Sequence, residues 1–151
     1  MSMEETGSLR RLLDVAEIKN NKARYGILVD SLVANPKDEV ALNRLVNLFC
    51  SDARFDFGGR IGTFEGDAEI RKFYGVTLPG DREWVWHSFH SPCIDVDGDV
   101  ASGSWTISAL AVSKGADDKP PQAIYGRYVD SYLRTKNGWR QSSLRFVDES
   151  R

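Results

Sequence analysis

The chain is poor in the residues that most often declare a protein's chemistry. It has two cysteines, Cys50 and Cys93. They lie far apart and form no CxxC pair, so free buried thiols in a reducing cytosol are expected rather than a disulfide framework. It has two histidines, His87 and His90. On one strand, three residues apart, they point to opposite faces, so no metal site is expected from them. No apolar run approaches the ~18 residues of a membrane span. The opening residues are polar and acidic and lack the basic-then-apolar pattern of a signal peptide, so a cytoplasmic location is expected. A basic block is also missing: 20 Lys and Arg stand against 22 Asp and Glu. That removes the electrostatic footprint of a nucleic-acid binder. No GxSxG, HExxH or P-loop pattern occurs, and the DFGG of Asp56–Gly59 leads into no helix with the required lysine. Nothing supports a serine or cysteine nucleophile, and no cofactor is expected.

What remains is an ordinary globular composition, 41% hydrophobic and 28% charged over 151 residues. That length suits one domain burying roughly two-thirds of its unfolded surface. Residues 1–8 read as a loose tail and 9–149 as the domain. Apolar residues recur near helical spacing from Leu9 to Ala34, with Ser8 as cap and a polar Lys19–Lys22 segment that allows a break. The helix should stop before Asn35-Pro36, because the residue before proline avoids the α region. Asn35 is then the cap of a second helix running to about Cys50. Arg54–Phe57 reads as a short strand, Gly62–Gly66 as a turn region, Ala68–Tyr74 as a short helix capped by Asp67, and Thr77–Asp81 as loop.

After Glu83 the pattern is strands. Glu83–Asp97 turns at Asp97-Gly98 into Val100–Val112. A longer loop, Ser113–Gln122, leads to Ala123–Arg134, which turns at Asn137-Gly138 into Trp139–Val147. Helices first and hairpins after them predict an α+β fold, with helices packed in the concave face of a strongly curved, mostly antiparallel sheet. The cone between the layers is the default ligand site.

Four side chains stand out. Asp30 lies in the apolar ILVDSLV, near the negative end of a helix dipole. Either a partner compensates for it, or the helix frays and it reaches water. Tyr25, five residues earlier, is offset by about 140° on the helix, so it packs or flanks a cavity mouth. His87 shares an apolar strand face with Val85, Phe89 and Cys93, whereas His90 faces the other way with Trp84, Trp86 and Ile94. His87 is either a satisfied core histidine or a base. Arg127, in YGRYVDSY, is either a surface ion pair or a site residue.

The order ILVDSL, LFCSDARFDFGGR, FEGDAEIRKFY, His87-x3-Ser91-Pro92-x-Ile94-Asp95-Val96-Asp97-Gly98-Asp99 and YGRYVDSYLRTKNGWR resembles the SnoaL-like members of the nuclear transport factor 2-like superfamily, from about Leu12 to Phe146. The resemblance implies a cone-shaped α+β barrel. It also implies a histidine–aspartate dyad, His87 with Asp30, joined by Tyr25 as a hydrogen donor and Arg127 as a stabiliser of negative charge. Val85, Phe89, Phe55, Phe57, Phe73 and Tyr125 would line the pocket. Ser91 stands where dehydratase-type members carry asparagine, and the connection Val33–Leu45 is longer than usual. The implied activity is a cofactor-independent lyase or isomerase, dehydratase-like, acting on a small hydrophobic, cyclic or aromatic molecule. A non-catalytic binding protein and the structural small subunit of a ring-hydroxylating dioxygenase are the alternatives. The expected partners are the small ligand and further copies of the chain, as a dimer or trimer that hides Trp84 or Ile94. Neither nucleic acid nor membrane is an expected partner.

Overall fold

The computed structural model describes residues 2–59, 61–116 and 118–150. Helix α1 (Met3–Ala34) leads into α2 (Glu39–Val46), then strands β1 (Phe49–Asp56) and β2 (Thr63–Glu65). Helix α3 (Gly66–Lys72), a π turn (Phe73–Thr77) and the short α4 (Leu78–Asp81) follow. Four long strands complete the chain: β3 (Arg82–Asp97), β4 (Val100–Ser113), β5 (Gln122–Thr135) and β6 (Gly138–Asp148). The sheet order is β2-β1-β6-β5-β4-β3. Neighbours are antiparallel except β1 and β6, which run parallel. The helices fill the concave side of this open, curved sheet, which is the expected architecture.

Several local expectations fall. The tail is not loose: Ser2 and Glu5 form a reciprocal capping box, and the helix runs from Met3. Nor does α1 break at Lys19–Lys22, where Asn21 and Lys22 are buried. Asp14, Glu17 and Asn21 form one polar stripe at helical spacing, and all three bind Trp139 of β6. The indole N–H donates to Asp14 Oδ1 (2.9 Å), the backbone N–H to Glu17 (2.8 Å), and the backbone carbonyl accepts from Asn21 (2.8 Å). The next residue, Lys22, donates from Nζ to Asp130 Oδ2 of β5 at 2.7 Å, both side chains essentially inaccessible. Polar residues that read as a solvent-side interruption thus dock α1 onto two strands.

The second helix begins later and ends earlier than expected. Asp38, not Asn35, caps it, accepting from the Ala41 N–H, and Phe49 and Cys50 already belong to β1. The longer connection is this helix, and Ala41, Leu42, Leu45 and Val46 are buried. The region around Gly62–Gly66 contains strand β2, and Thr77–Asp81 is helical rather than loop. The expected Asp97-Gly98 turn is shifted by one. Asp97 pairs with Val100, so Gly98-Asp99 form the loop and Gly98 takes the positive φ. Likewise Thr135 pairs with Gly138, leaving Lys136-Asn137 as the loop.

A bulge corrects the strand face that carries His87. The register of β3 against β4 shifts between His90 and Cys93, where Ser91 has a positive φ of 48°. Beyond it the sides exchange. Ile94 and Val96 pack inward on the Trp105–Trp139 cluster, while Cys93 is exposed. Cys93 is therefore neither buried nor on the His87 face, and Cys50 is only partly buried.

Asp14 also takes a bidentate grip from Arg134 (2.6 and 2.8 Å). The Arg134 guanidinium, then Trp139, holds the Asp14 carboxyl at about 2, against a burial penalty. Because the folded-state value is depressed, the stabilisation is complete above the unfolded value and is lost as pH falls through about 2. Asp14→Asn is expected to cost about 2 kcal/mol at neutral pH. The gap to the unsubstituted protein should narrow between about pH 4 and 2, as urea unfolding at stepped pH will read.

Candidate active site

The first half of β3 and the C-terminal part of α1 build the site together. Gly26 on α1 faces Phe89 and His87 of β3, and a Cβ there would lie 2.7 Å from Phe89 Cε2. Only glycine allows this close approach. One helical turn later Asp30 reaches the edge strand. Its Oδ1 lies 2.6 Å from His87 Nδ1, and its Oδ2 accepts the His87 backbone N–H at 3.0 Å. The carboxylate that was out of place in an apolar helix is compensated by both donors of one residue. It simultaneously blunts an edge-strand N–H.

With Nδ1–H given to Asp30, the neutral ring carries its lone pair on Nε2. His87 lines a cavity of about 90 Å³, bounded by Tyr25, Val29, Phe73, Tyr74, Ile107 and Tyr128 among others. Small residues at alternate positions of β4, Ala109 and Ala111, line it too and leave the space open. Phe89 stacks on the imidazole, with ring centroids 6.0 Å apart and planes 13° from parallel. Both members of the dyad are mostly covered, His87 with 13% and Asp30 with 23% of the side chain accessible.

Tyr25 is buried, its ring 6.5 Å from that of His87. Its hydroxyl lies 2.9 Å from the hydroxyl of Tyr74, which the π turn brings inward beside Phe73. Burial pushes Tyr25, Tyr74 and Tyr128 well above the ordinary phenol range, so all three stay neutral donors. Within the Tyr25–Tyr74 pair one hydroxyl donates to the other, which leaves the second hydrogen free for a third group.

Among the expected pocket residues, Val85, Phe57 and Phe73 line the cavity. Phe89 backs the His87 ring, and Phe55 is core, packed edge-on to Phe49. Tyr125 and Arg127 are the corrections. On β5 it is Tyr128, Asp130 and Tyr132 that point inward, so strand alternation turns the odd-numbered residues out. Tyr125 is 55% exposed, and Arg127 forms a surface ion pair with Glu149 at 2.6 Å. His90 is also outside, with Nε2 2.9 Å from Ser108 Oγ.

Sequence reading missed Arg82, Tyr74 and Tyr128 at the cavity and Lys22 with Asp130 beneath it. The inward parity of Tyr128 was legible once Arg127 was doubted. Arg82 was not, because a register shift between Arg82 and Trp84 breaks the alternation there. Lys22 lies within 4.2–5.3 Å of the ring centroids of Tyr128, Tyr25, Phe89 and Trp105. Among the described residues no group of three or more His, Cys, Asp or Glu could hold a metal ion. No described helix is long and apolar enough to cross a membrane.

The SnoaL-like domain family matches residues 10–145. The chain belongs to that family, and its fold is that of the nuclear transport factor 2-like proteins. No curated protein sequence matches it. Similar solved structures include the hexachlorocyclohexane dehydrochlorinase LinA-type3 of Novosphingobium barchaimii LL02. That likeness has 19% identity, a TM-score of 0.79, and covers 95% of this chain and 91% of that one. A candidate scytalone dehydratase of Novosphingobium aromaticivorans DSM 12444 shares 16% identity at TM-score 0.78, over 93% and 87% of the two chains. A nuclear transport factor 2-like protein of Salmonella enterica serovar Typhimurium shares 23% identity at TM-score 0.73, over 90% and 91%.

Proposed function

We propose that the protein is a cofactor-independent lyase of the elimination type, acting on a small, largely apolar molecule by His87–Asp30 acid–base chemistry. The observation that carries this reading is the 2.6 Å contact of His87 Nδ1 with Asp30. It leaves Nε2 as the basic nitrogen of a ring that lines an apolar cavity. Membership of the SnoaL-like family and structural likeness to a dehydrochlorinase and a candidate dehydratase support it.

The steps balance without a cofactor. Nε2 takes a proton from carbon next to a carbonyl, and imidazole is well matched to that task near neutral pH. The C–H electron pair forms the new C=C bond, and the leaving group departs with its own pair. A halide leaves as the anion. A hydroxyl leaves as water with the proton that Nε2 took from carbon, while a hydroxyl of the Tyr25–Tyr74 pair holds the departing oxygen by a hydrogen bond, so that His87 ends neutral and the phenols keep their protons. Asp30 keeps the proton on Nδ1 and stabilises the imidazolium.

Proton abstraction is testable before the natural substrate is known. Small cyclic and acyclic 3-hydroxy ketones in D2O are followed by ¹H NMR. The protein is expected to accelerate exchange of the hydrogens beside the carbonyl and to release enone, and His87→Ala to do neither. Exchange or elimination that persists in His87→Ala would show that the dyad is not the base.

A further inference from the structure

The cavity has one charged corner that the proposed mechanism does not use. Among its described lining residues Arg82 is the single cation, and no carboxylate lines it. The remaining walls are apolar side chains and the phenols of Tyr25, Tyr74 and Tyr128, apart from His87 itself. Arg82 stands where α4 gives way to β3, with its side chain 19% accessible. Two of its nitrogens are already held. Nη1 donates to Ser113 Oγ at 2.6 Å, and Nε lies 3.2 Å from Asp81 Oδ2. Nη2 makes no hydrogen bond with the described residues.

We propose that Arg82 is a specificity residue and that the molecule bound here carries one carboxylate, paired with the Arg82 guanidinium while its apolar body occupies the cavity. The Ser113 contact at 2.6 Å positions the guanidinium, so less side-chain freedom is left to lose on binding. Asp81 does not cancel the charge toward the cavity. Its side chain is 66% accessible and solvated, and an ion pair in that setting is weak. The carboxylate side of an incoming ligand meets the opposite condition, a guanidinium on a cavity whose lining also includes Leu78, Val85 and Ile124. In that low-dielectric setting an arginine–carboxylate pair strengthens. The cavity of about 90 Å³ limits the apolar body to a few carbons or a ring that projects from the mouth. The inference deepens the elimination reading by naming its substrate class, a small organic acid.

Binding tests it without turnover. Crotonate and benzoate are titrated by calorimetry against the protein at pH 7, beside crotonamide and benzamide, which match them in shape without the charge. Each carboxylate is expected to bind at least tenfold more tightly than its amide, and more weakly as salt is raised. Arg82→Gln should weaken the carboxylates at least tenfold and leave the amides within threefold. Arg82→Lys, which keeps the charge and loses the fork, should fall between. Amides that bind as well as carboxylates, unchanged carboxylate binding in Arg82→Gln, or no carboxylate binding at all would each overturn the proposal. If Arg82→Gln fails to fold, the carboxylate–amide comparison and Arg82→Lys still decide. The two readings fail separately. Deuterium exchange without carboxylate selectivity removes Arg82, and selectivity without exchange removes the dyad chemistry.

Discussion

Asp30→Asn is expected to lower kcat/KM by about a thousandfold, close to the loss from His87→Ala, although the side chain keeps its shape and volume. The reason lies in the count of acceptors. Asp30 offers two carboxylate oxygens to two donors of His87, the ring Nδ1–H and the backbone N–H. Asparagine offers one acceptor and one donor. If its carbonyl stays on the backbone N–H, its amide hydrogens face Nδ1. The ring must then carry its proton on Nε2, where the base is needed. If the amide flips, two N–H groups confront each other at the edge strand, at a cost of about 1–3 kcal/mol. Either arrangement removes the basic nitrogen or its support. A thousandfold loss corresponds to about 4 kcal/mol of barrier. Kinetics on any substrate found by the exchange assay checks the magnitude, and ¹⁵N NMR of the imidazole checks the cause by reading the tautomer. Activity within threefold of the unsubstituted protein would mean that the aspartate does not set the ring's proton.

The second large effect is on stability. Lys22→Met should cost about 3–5 kcal/mol, because it leaves the Asp130 carboxylate buried without its cation. Burial pushes Lys22 down and Asp130 up from their ordinary ranges, each toward its neutral form; the mutual contact opposes this, and on the Asp130 side so does the Tyr132 hydroxyl. Asp130 Oδ2 accepts from Lys22 and from the Tyr132 hydroxyl at 3.0 Å, whereas Oδ1 has no partner among the described residues. The pair is therefore already incompletely satisfied. The double variant Lys22→Met/Asp130→Leu should recover most of the loss, since a hydrophobic pair needs no desolvation. Urea unfolding of the single and double variants measures both. Singles costing less than about 1 kcal/mol would mean that water reaches the pair. The same lysine lies between the rings of Tyr25, Phe89 and Tyr128, and Phe89 stacks on His87. Its removal should loosen the floor of the site as well as the fold.

Much of this was decided locally. The α+β order, the stop of α1 before Pro36, and the two hairpins follow from periodicity and turn residues within a few positions of one another. Alternation along an unbroken strand segment also sets His90 on the face opposite His87, while the inward direction of the His87 face was implied by the family resemblance. Asp30 was marked by its own context, as a carboxylate in an apolar helix needs a partner somewhere. What local pattern could not supply was the partner's address. Asp30 meets His87 because Gly26 lets α1 approach β3. Lys22 meets Asp130, and Asp14 meets Arg134 and Trp139, across more than a hundred residues of chain.

The misplacements share a cause. A polar Lys19–Lys22 segment looks like a helix break until strands from the far end of the chain provide its hydrogen bonds. Arg127 fits the expected motif, yet parity against Tyr128 and Asp130 turns it to solvent. Cys93 and Ile94 exchange sides because of one bulge at Ser91. Sequence alone determined the long first helix, the four long strands and that one histidine and one aspartate needed explaining, because those facts rest on local sterics and solvation. Only the tertiary structure decided which arginine reaches the cavity and which charges are buried together. Curvature, register shifts and distant pairing are properties of the assembled sheet, not of any one strand.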